Sequence, residues 1–151
     1  IDKYREGGEN QKKEIVSLYC RNTAFINNWY LVDLSAPNIA GDFWFKNGTK
    51  TMFEFSKSGQ LWKERISIVS NLYFIRRGHF QEILKLCSYF LGHKHDLIHK
   101  ASGWMLRETG KKDIAVLRGF LDKYCKEMPR TMLRYSIEKL SEKERRKYMN
   151  S

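Results

Sequence analysis

The pair Trp29 and Asp33 offers the first chemistry in this sequence. Both lie in N-N-W-Y-L-V-D-L-S-A-P, residues 27–37, whose opening asparagines can cap a helix and whose final Pro37 bounds it. Residues four apart share one helical face, so that face would carry an indole ring and a carboxylate together. The pair suits a positively charged ligand. A core tryptophan beside a solvated acid is the commoner arrangement, and spacing alone favours it.

A second group combines tryptophan with arginine. The sequence G-W-M-L-R places Trp104 and Arg107 on one helical face, and L-W-K-E-R gives Arg65 the same spacing from its own tryptophan. Gly103 would let a backbone or a ligand approach closely. The alternative is a helix–helix contact in which Trp104 is buried and Arg107 pairs with an acid.

A third candidate lies at the start of a later helix. In M-P-R-T-M-L-R-Y, Arg130 and Thr131 follow Pro129, where free backbone N–H groups could hold a phosphate. The alternative is that Arg130 and Arg134 are exposed or ion-paired structural residues.

The sequence gives little evidence for a metal-binding or a nucleotide-binding site. His95 and His99 are four apart, but H-D-L-I-H lacks the glutamate of the zinc-protease motif and no thiol pair completes a structural zinc site. His95 or Asp96 is better explained as the cap of a helix. Phosphate-loop, dinucleotide-binding and serine-hydrolase motifs are missing. We therefore expect no metal and no cofactor.

The elements that must position these residues are helices. Apolar residues recurring at intervals of three and four predict helices over 11–26, 60–76, 79–91, 95–108, 112–127, 130–140 and 141–149. Breaks are predicted at Asn47-Gly48, Ser58-Gly59, Gly78, Gly92, Gly110 and Pro129. No segment alternates with period two long enough to form a strand. The pattern predicts an all-α fold of antiparallel helical pairs, stacked as an α-solenoid in one domain over 1–151.

Composition favours a polyanionic partner. The 151 residues contain 28 Lys and Arg against 17 Asp and Glu, a net charge of +11, which raises the expectation of nucleic-acid binding. No apolar run approaches the roughly 20 residues of a membrane span. Three scattered cysteines predict reduced thiols and a cytoplasmic location.

The four segments N-N-W-Y-L-V-D-L-S-A-P, L-W-K-E-R-I-S-I-V-S, H-D-L-I-H-K-A-S-G-W-M-L-R-E and M-P-R-T-M-L-R-Y-S-I-E-K-L together resemble the DNA alkylation repair family of AlkD-like glycosylases. The resemblance implies HEAT-like repeats curved around duplex DNA with a concave basic face. It also implies that the first helices of the family's domain are missing from this chain, and that the protein is a monomer.

The resemblance further implies a monofunctional glycosylase that removes cationic alkylated purines, such as 3-methyladenine and 7-methylguanine, from duplex DNA without a base-flipping pocket. Trp29, Asp33 and Trp104 would be catalytic. The DNA-binding residues would include Arg65 and Arg107, beside the Arg130 and Thr131 inferred above. Tyr30 departs from the family, which often has an acid beside that first tryptophan.

Two alternatives without catalysis stay open. A helical-repeat module could bind nucleic acid or an acidic protein by charge alone, and would be indifferent to loss of Asp33. A purely structural HEAT-type scaffold would lack affinity for nucleic acid at moderate salt.

Overall fold

The computed structural model describes residues 1–151 and contains helices but no strand, which confirms the all-α prediction. The α-helices are α1 (Asp2–Glu6), α2 (Glu9–Arg21), α3 (Trp29–Ser35), α4 (Asp42–Asn47), α5 (Lys50–Ser56), α6 (Leu61–Val69), α7 (Asn71–Arg76), α8 (Gln81–Tyr89), α9 (Asp96–Lys112), α10 (Ile114–Tyr124), α11 (Arg130–Ile137) and α12 (Glu142–Met149). Short 3-10 helices cover Thr23–Phe25 and Phe90–Gly92, and a π-helix covers Pro37–Gly41. None of these helices combines the length and the apolar character needed to cross a membrane.

The chain divides into two compact units, Ile1–Phe74 and Ile75–Ser151. In the first, the buried core is built from Val32, Trp44, Met52, Ile66 and Ile68, and a smaller apolar cluster forms around Tyr4, Val16 and Ile39. In the second, it is built from Ile83, Leu86, Ile98, Met105, Leu106, Leu121 and Met132. The predicted single domain and the stacking into a solenoid with a concave basic face remain predictions.

Pro37 does not stop the helical path after α3. The chain continues through Pro37–Gly41 as a π-turn, in which Gly41 N–H donates to the carbonyl of Ala36 at 2.8 Å, and then enters α4. Pro37 has no N–H to donate to the preceding turn, and the wider π-turn accommodates it within the continuing helical path.

In each unit one glycine lies unusually close to the backbone of another helical segment. A Cβ on Gly41 would lie 2.4 Å from the carbonyl oxygen of Ser70, and a Cβ on Gly103 would lie 2.5 Å from that of Met132. In both cases a tyrosine three residues later supplies the next contact, Tyr73 after Ser70 and Tyr135 after Met132. The same sequence spacing joins the glycine to its partners in each unit, so the units share one local packing device.

Helix caps follow the predicted chemistry. His95 Nδ1 accepts from Leu97 N–H at 3.1 Å to start α9, and Asp113 caps α10 in the same manner. Ser141 Oγ accepts from Glu144 N–H at 3.3 Å, which confirms the cap predicted for α12. These side chains satisfy N–H groups that the first helical turn leaves without partners.

Several predicted boundaries were wrong. Gly110 lies inside α9 because its missing side chain makes room for Leu117, which a Cβ would meet at 2.4 Å. The helix predicted over 60–76 is interrupted at Ser70. Sequence periodicity also missed the helices between Pro37 and Ser58, where aromatic residues occupy several faces and obscure the stripe. Glycines with positive φ do follow the ends of α4, α5 and α7, at Gly48, Gly59 and Gly78.

Candidate functional site

Asp33 is held by a two-armed contact with Arg65. Arg65 Nε donates to Asp33 Oδ1 at 3.2 Å, and Nη2 donates to Oδ1 and Oδ2 at 3.0 Å each. The Arg65 side chain is only 6% exposed, whereas that of Asp33 is 18% exposed. The fork fixes the orientation of the carboxylate and leaves one edge of it accessible from outside.

The environment of Asp33 raises the pKa of its carboxyl group. Burial raises the pKa of Asp33 above its ordinary value, and the hydrogen bonds and charge of Arg65 offset only part of that rise. A carboxylate in this state has a higher intrinsic basicity than one in water. It is therefore suited to interact with a positive charge or with the proton of a water molecule.

Trp29 lies one turn before Asp33 and is directed outward. Asn28 Oδ1 caps α3 by accepting from Tyr30 N–H at 2.8 Å, as the sequence predicted. The Trp29 side chain is 54% exposed, and the Tyr30 ring meets it edge-on at 6.1 Å between centroids. Trp29 is thus not the core residue that spacing alone favoured. Its indole is largely exposed, one helical turn before the carboxylate.

Trp104 occupies a different setting, in the second unit. It follows Gly103 at the crossing of α9 and α11 and is half-buried. The close crossing fixes its backbone, since Gly103 is pressed against the Met132 carbonyl. Part of the indole surface therefore remains available on a rigid support.

Arg107, one turn further along α9, is paired with acids. Its Nη1 donates to Glu138 Oε2, and its Nε lies 3.7 Å from Glu108 Oε1. The buried Nε makes no hydrogen bond. The ion pairing matches the structural alternative considered for this residue. The prediction that Arg107 binds DNA is not tested by this contact.

The predicted phosphate site at α11 also has internal contacts. Arg130 is exposed and its Nη1 donates to the carbonyl of Met149 at 2.9 Å, while Thr131 is hydrogen-bonded to the Asp96 carboxylate. The Asp96 bond joins the start of α11 to the start of α9. The DNA-binding role of both residues stays a prediction.

The rings of His93, His95 and His99 form hydrogen bonds with backbone groups. His93 Nδ1 accepts from His95 N–H at 3.0 Å, and His95 in turn caps α9. The His99 ring pairs with the His93 carbonyl. The explanation of His95 as a helix cap is confirmed.

The structure thus divides the predicted residues between the two units. It brings Trp29, Asp33 and Arg65 into the first, and Trp104, Arg107, Arg130 and Thr131 into the second. Glu138, the partner of Arg107, escaped the sequence analysis because it is far away in the chain and no motif marks it.

Comparison with known proteins supplies one match. A family model described as DNA alkylation repair enzyme matches residues 1–140. No curated protein and no solved structure matches the chain significantly.

Proposed function

Because the chain belongs to the DNA alkylation repair enzyme family, we propose that it is a DNA glycosylase that hydrolyses the N-glycosidic bond of cationic N3- or N7-alkylated purines in duplex DNA. The observation that carries the proposal is the Asp33 carboxylate, oriented by Arg65 and one helical turn from the exposed indole of Trp29. These groups offer two independent ways of stabilising one positive charge.

The bond that breaks is the one between C1′ of the deoxyribose and the alkylated purine nitrogen. Its electron pair leaves with the purine, which becomes neutral because alkylation had already given it a positive charge. No general acid is needed for this step. The positive charge passes to the sugar as an oxocarbenium-like centre, and the carboxylate of Asp33 stabilises it there.

Water completes the reaction. Its oxygen forms the new bond to C1′, and a proton is released to solvent or to Asp33, leaving an abasic sugar and the free alkylated base. The accessible edge of Asp33 can position that water. Trp29 adds cation–π stabilisation of about 0.5–2 kcal/mol, larger as water is excluded. The catalytic role of Trp104, in the second unit, stays a prediction from the family resemblance.

Arg65 is best described as a positioning residue. Its guanidinium is buried and directed at Asp33, so it orients the carboxylate and does not present its fork at the surface. Phosphate contacts would then come from more exposed cations such as Arg130, with Thr131 beside it.

The decisive experiment measures release of 3-methyladenine and 7-methylguanine from methylated duplex DNA. Asp33→Asn should reduce release by about 100-fold or more while changing affinity for undamaged duplex little. Asp113→Asn is the matched control, since it removes an exposed carboxylate while asparagine can still cap α10. Unchanged release by Asp33→Asn would exclude the mechanism.

One observation favours the non-catalytic alternative. A largely buried Asp33–Arg65 pair is also what a structural ion pair looks like. A binding module with +11 net charge would then bind duplex DNA in a strongly salt-dependent way without releasing base. The same assay separates the two, because only the glycosylase yields free base.

A further inference from the structure

The first unit contains a polar pocket that the proposed reaction does not use. It encloses about 200 Å³ between α1, α2 and α4. Its floor is the carboxylate of Asp42, which accepts from the Tyr4 hydroxyl at 2.6 Å and pairs with Lys46 at 2.8 Å. Tyr73 is hydrogen-bonded to the same carboxylate.

The negative charge of the Asp42 carboxylate is balanced by groups within the protein. Burial would raise the pKa of Asp42, but the hydrogen bonds from Lys46, Tyr4 and Tyr73 outweigh that effect and keep the pKa below its usual value. Asp42 is therefore ionised, and Lys46 balances its charge. This carboxylate has no need of a metal ion or an external cation.

Two cations lie at the rim of the pocket. Arg5 Nη2 donates to Asn38 Oδ1 at 3.1 Å, and Asn38 is held in turn by its own bond to the Leu34 carbonyl at 2.8 Å. Lys12 Nζ lies 5.5 Å from the centre of the Tyr4 ring. With Asp42 and Lys46 balanced, Arg5 and Lys12 give the pocket an excess of positive charge.

Two residues of the pocket, Asp42 and Tyr73, have counterparts at the glycine crossing of the second unit. Asp42 follows Gly41 at the glycine crossing of the first unit, as Trp104 follows Gly103 at the crossing of the second. Tyr73 and Tyr135 also correspond. Asp42 in the first unit and Trp104 in the second therefore hold equivalent positions beside the glycine contact.

We propose that this pocket binds one phosphate group of the nucleic-acid backbone, with Arg5 and Lys12 as its ligands. The inference rests on the proposed function for its partner, DNA. A guanidinium and an ammonium group that line one pocket both suit the oxygens of a phosphodiester, and the excess positive charge disfavours cations. Such a contact adds affinity and register without reading sequence.

The test is the salt dependence of binding to undamaged duplex DNA. The slope of log affinity against log salt is negative. In the double variant Arg5→Gln/Lys12→Gln its magnitude should be smaller by about 1, the value for one lost phosphate contact. The matched control is Lys3→Gln/Lys13→Gln, which removes two exposed charges from the same helices outside the pocket. It should change the slope by clearly less.

Thermal unfolding of both variants verifies that each is folded. Equal slope changes in the two variants would overturn the proposal, and so would an unchanged slope in the pocket variant. Failure of duplex binding by the wild-type chain would overturn it as well. Because undamaged DNA is used, a wild type that binds but releases no base would refute the glycosylase and leave the pocket standing.

Binding of inorganic phosphate is the second test of the proposed pocket. Its addition should shift the NMR signal of the Arg5 side-chain Nε–H in the wild type, and this shift should disappear when duplex DNA already occupies the pocket. A shift that persists unchanged in saturating duplex would show that the pocket takes free phosphate, which overturns the backbone assignment.

Discussion

Arg65 Nη2 lies 3.0 Å from both carboxylate oxygens of Asp33, and the arginine is the more deeply buried of the two. The pair therefore joins α6 to α3 through a contact that is largely shielded from water. Breaking such a pair leaves a charge without its partner.

Arg65→Met should for this reason destabilise the protein by about 2–4 kcal/mol at neutral pH, a value discounted because Asp33 keeps some exposure. The double variant Asp33→Leu/Arg65→Met should recover much of that loss, since no unpaired charge remains. Urea unfolding of the wild type, both single variants and the double variant gives the coupling energy. Additive losses would show that the pair is not energetically coupled.

The pH dependence of base release should report Asp33. Burial raises the pKa of this carboxyl, and the ionised form is the active one, so activity should fall on acidification at a higher pH than for an ordinary aspartate. The same shift lowers folding stability as the pH rises through the folded pKa, because the folded state favours the protonated form. Single-turnover rates from acidic to neutral pH test the acid limb, with thermal unfolding alongside. An acid limb at the pKa of a free aspartate would contradict the assignment.

Trp29 should matter for activity and hardly at all for stability. Its side chain is 54% exposed, so Trp29→Ala should change the free energy of unfolding by no more than about 0.5 kcal/mol. Base release should fall about 10-fold, the equivalent of a lost cation–π contact. Phe25→Ala, at a residue 79% exposed in the same unit, is the aromatic control and should leave release unchanged. Equal losses in both variants would point to a general surface effect.

The sequence was sufficient for the local part of this architecture. Caps at Asn28 and Ser141 follow from side-chain chemistry at a helix start, and both are observed. The all-α class follows from apolar periodicity in the same way. Such features depend on neighbours within one or two turns, which a sequence displays directly.

The features that could not be predicted from the sequence depend on tertiary contacts. The burial of Arg65 against Asp33 and the pairing of Arg107 with Glu138 join residues about 30 positions apart, for which helical periodicity carries no information. The exposure of Trp29 was likewise decided by packing of other elements. Gly110 resembled a helix end, yet it remains helical because α10 packs against it.

His95 should contribute to stability through the cap of α9. His95→Ala removes the Nδ1 acceptor of the Leu97 N–H and should cost about 1 kcal/mol, whereas His95→Asn retains an acceptor and should cost little. Chemical denaturation of the three proteins at neutral pH measures both differences. Equal stability of the alanine and asparagine variants would exclude the capping role.

Gly103 should be far less tolerant of a methyl group than Gly119. An alanine Cβ at 103 would lie 2.5 Å from the Met132 carbonyl oxygen and from Tyr135 Cβ, which forces α9 and α11 apart. We expect Gly103→Ala to lose about 1–3 kcal/mol, and base release to fall as well because Trp104 adjoins the displaced crossing. The Cβ of Gly119→Ala meets nothing within 4 Å at an exposed position of α10, so this variant should gain about 0.5–1 kcal/mol from helix propensity. Thermal and urea unfolding of the two variants decide the comparison, and a stabilised Gly103→Ala would contradict the close crossing.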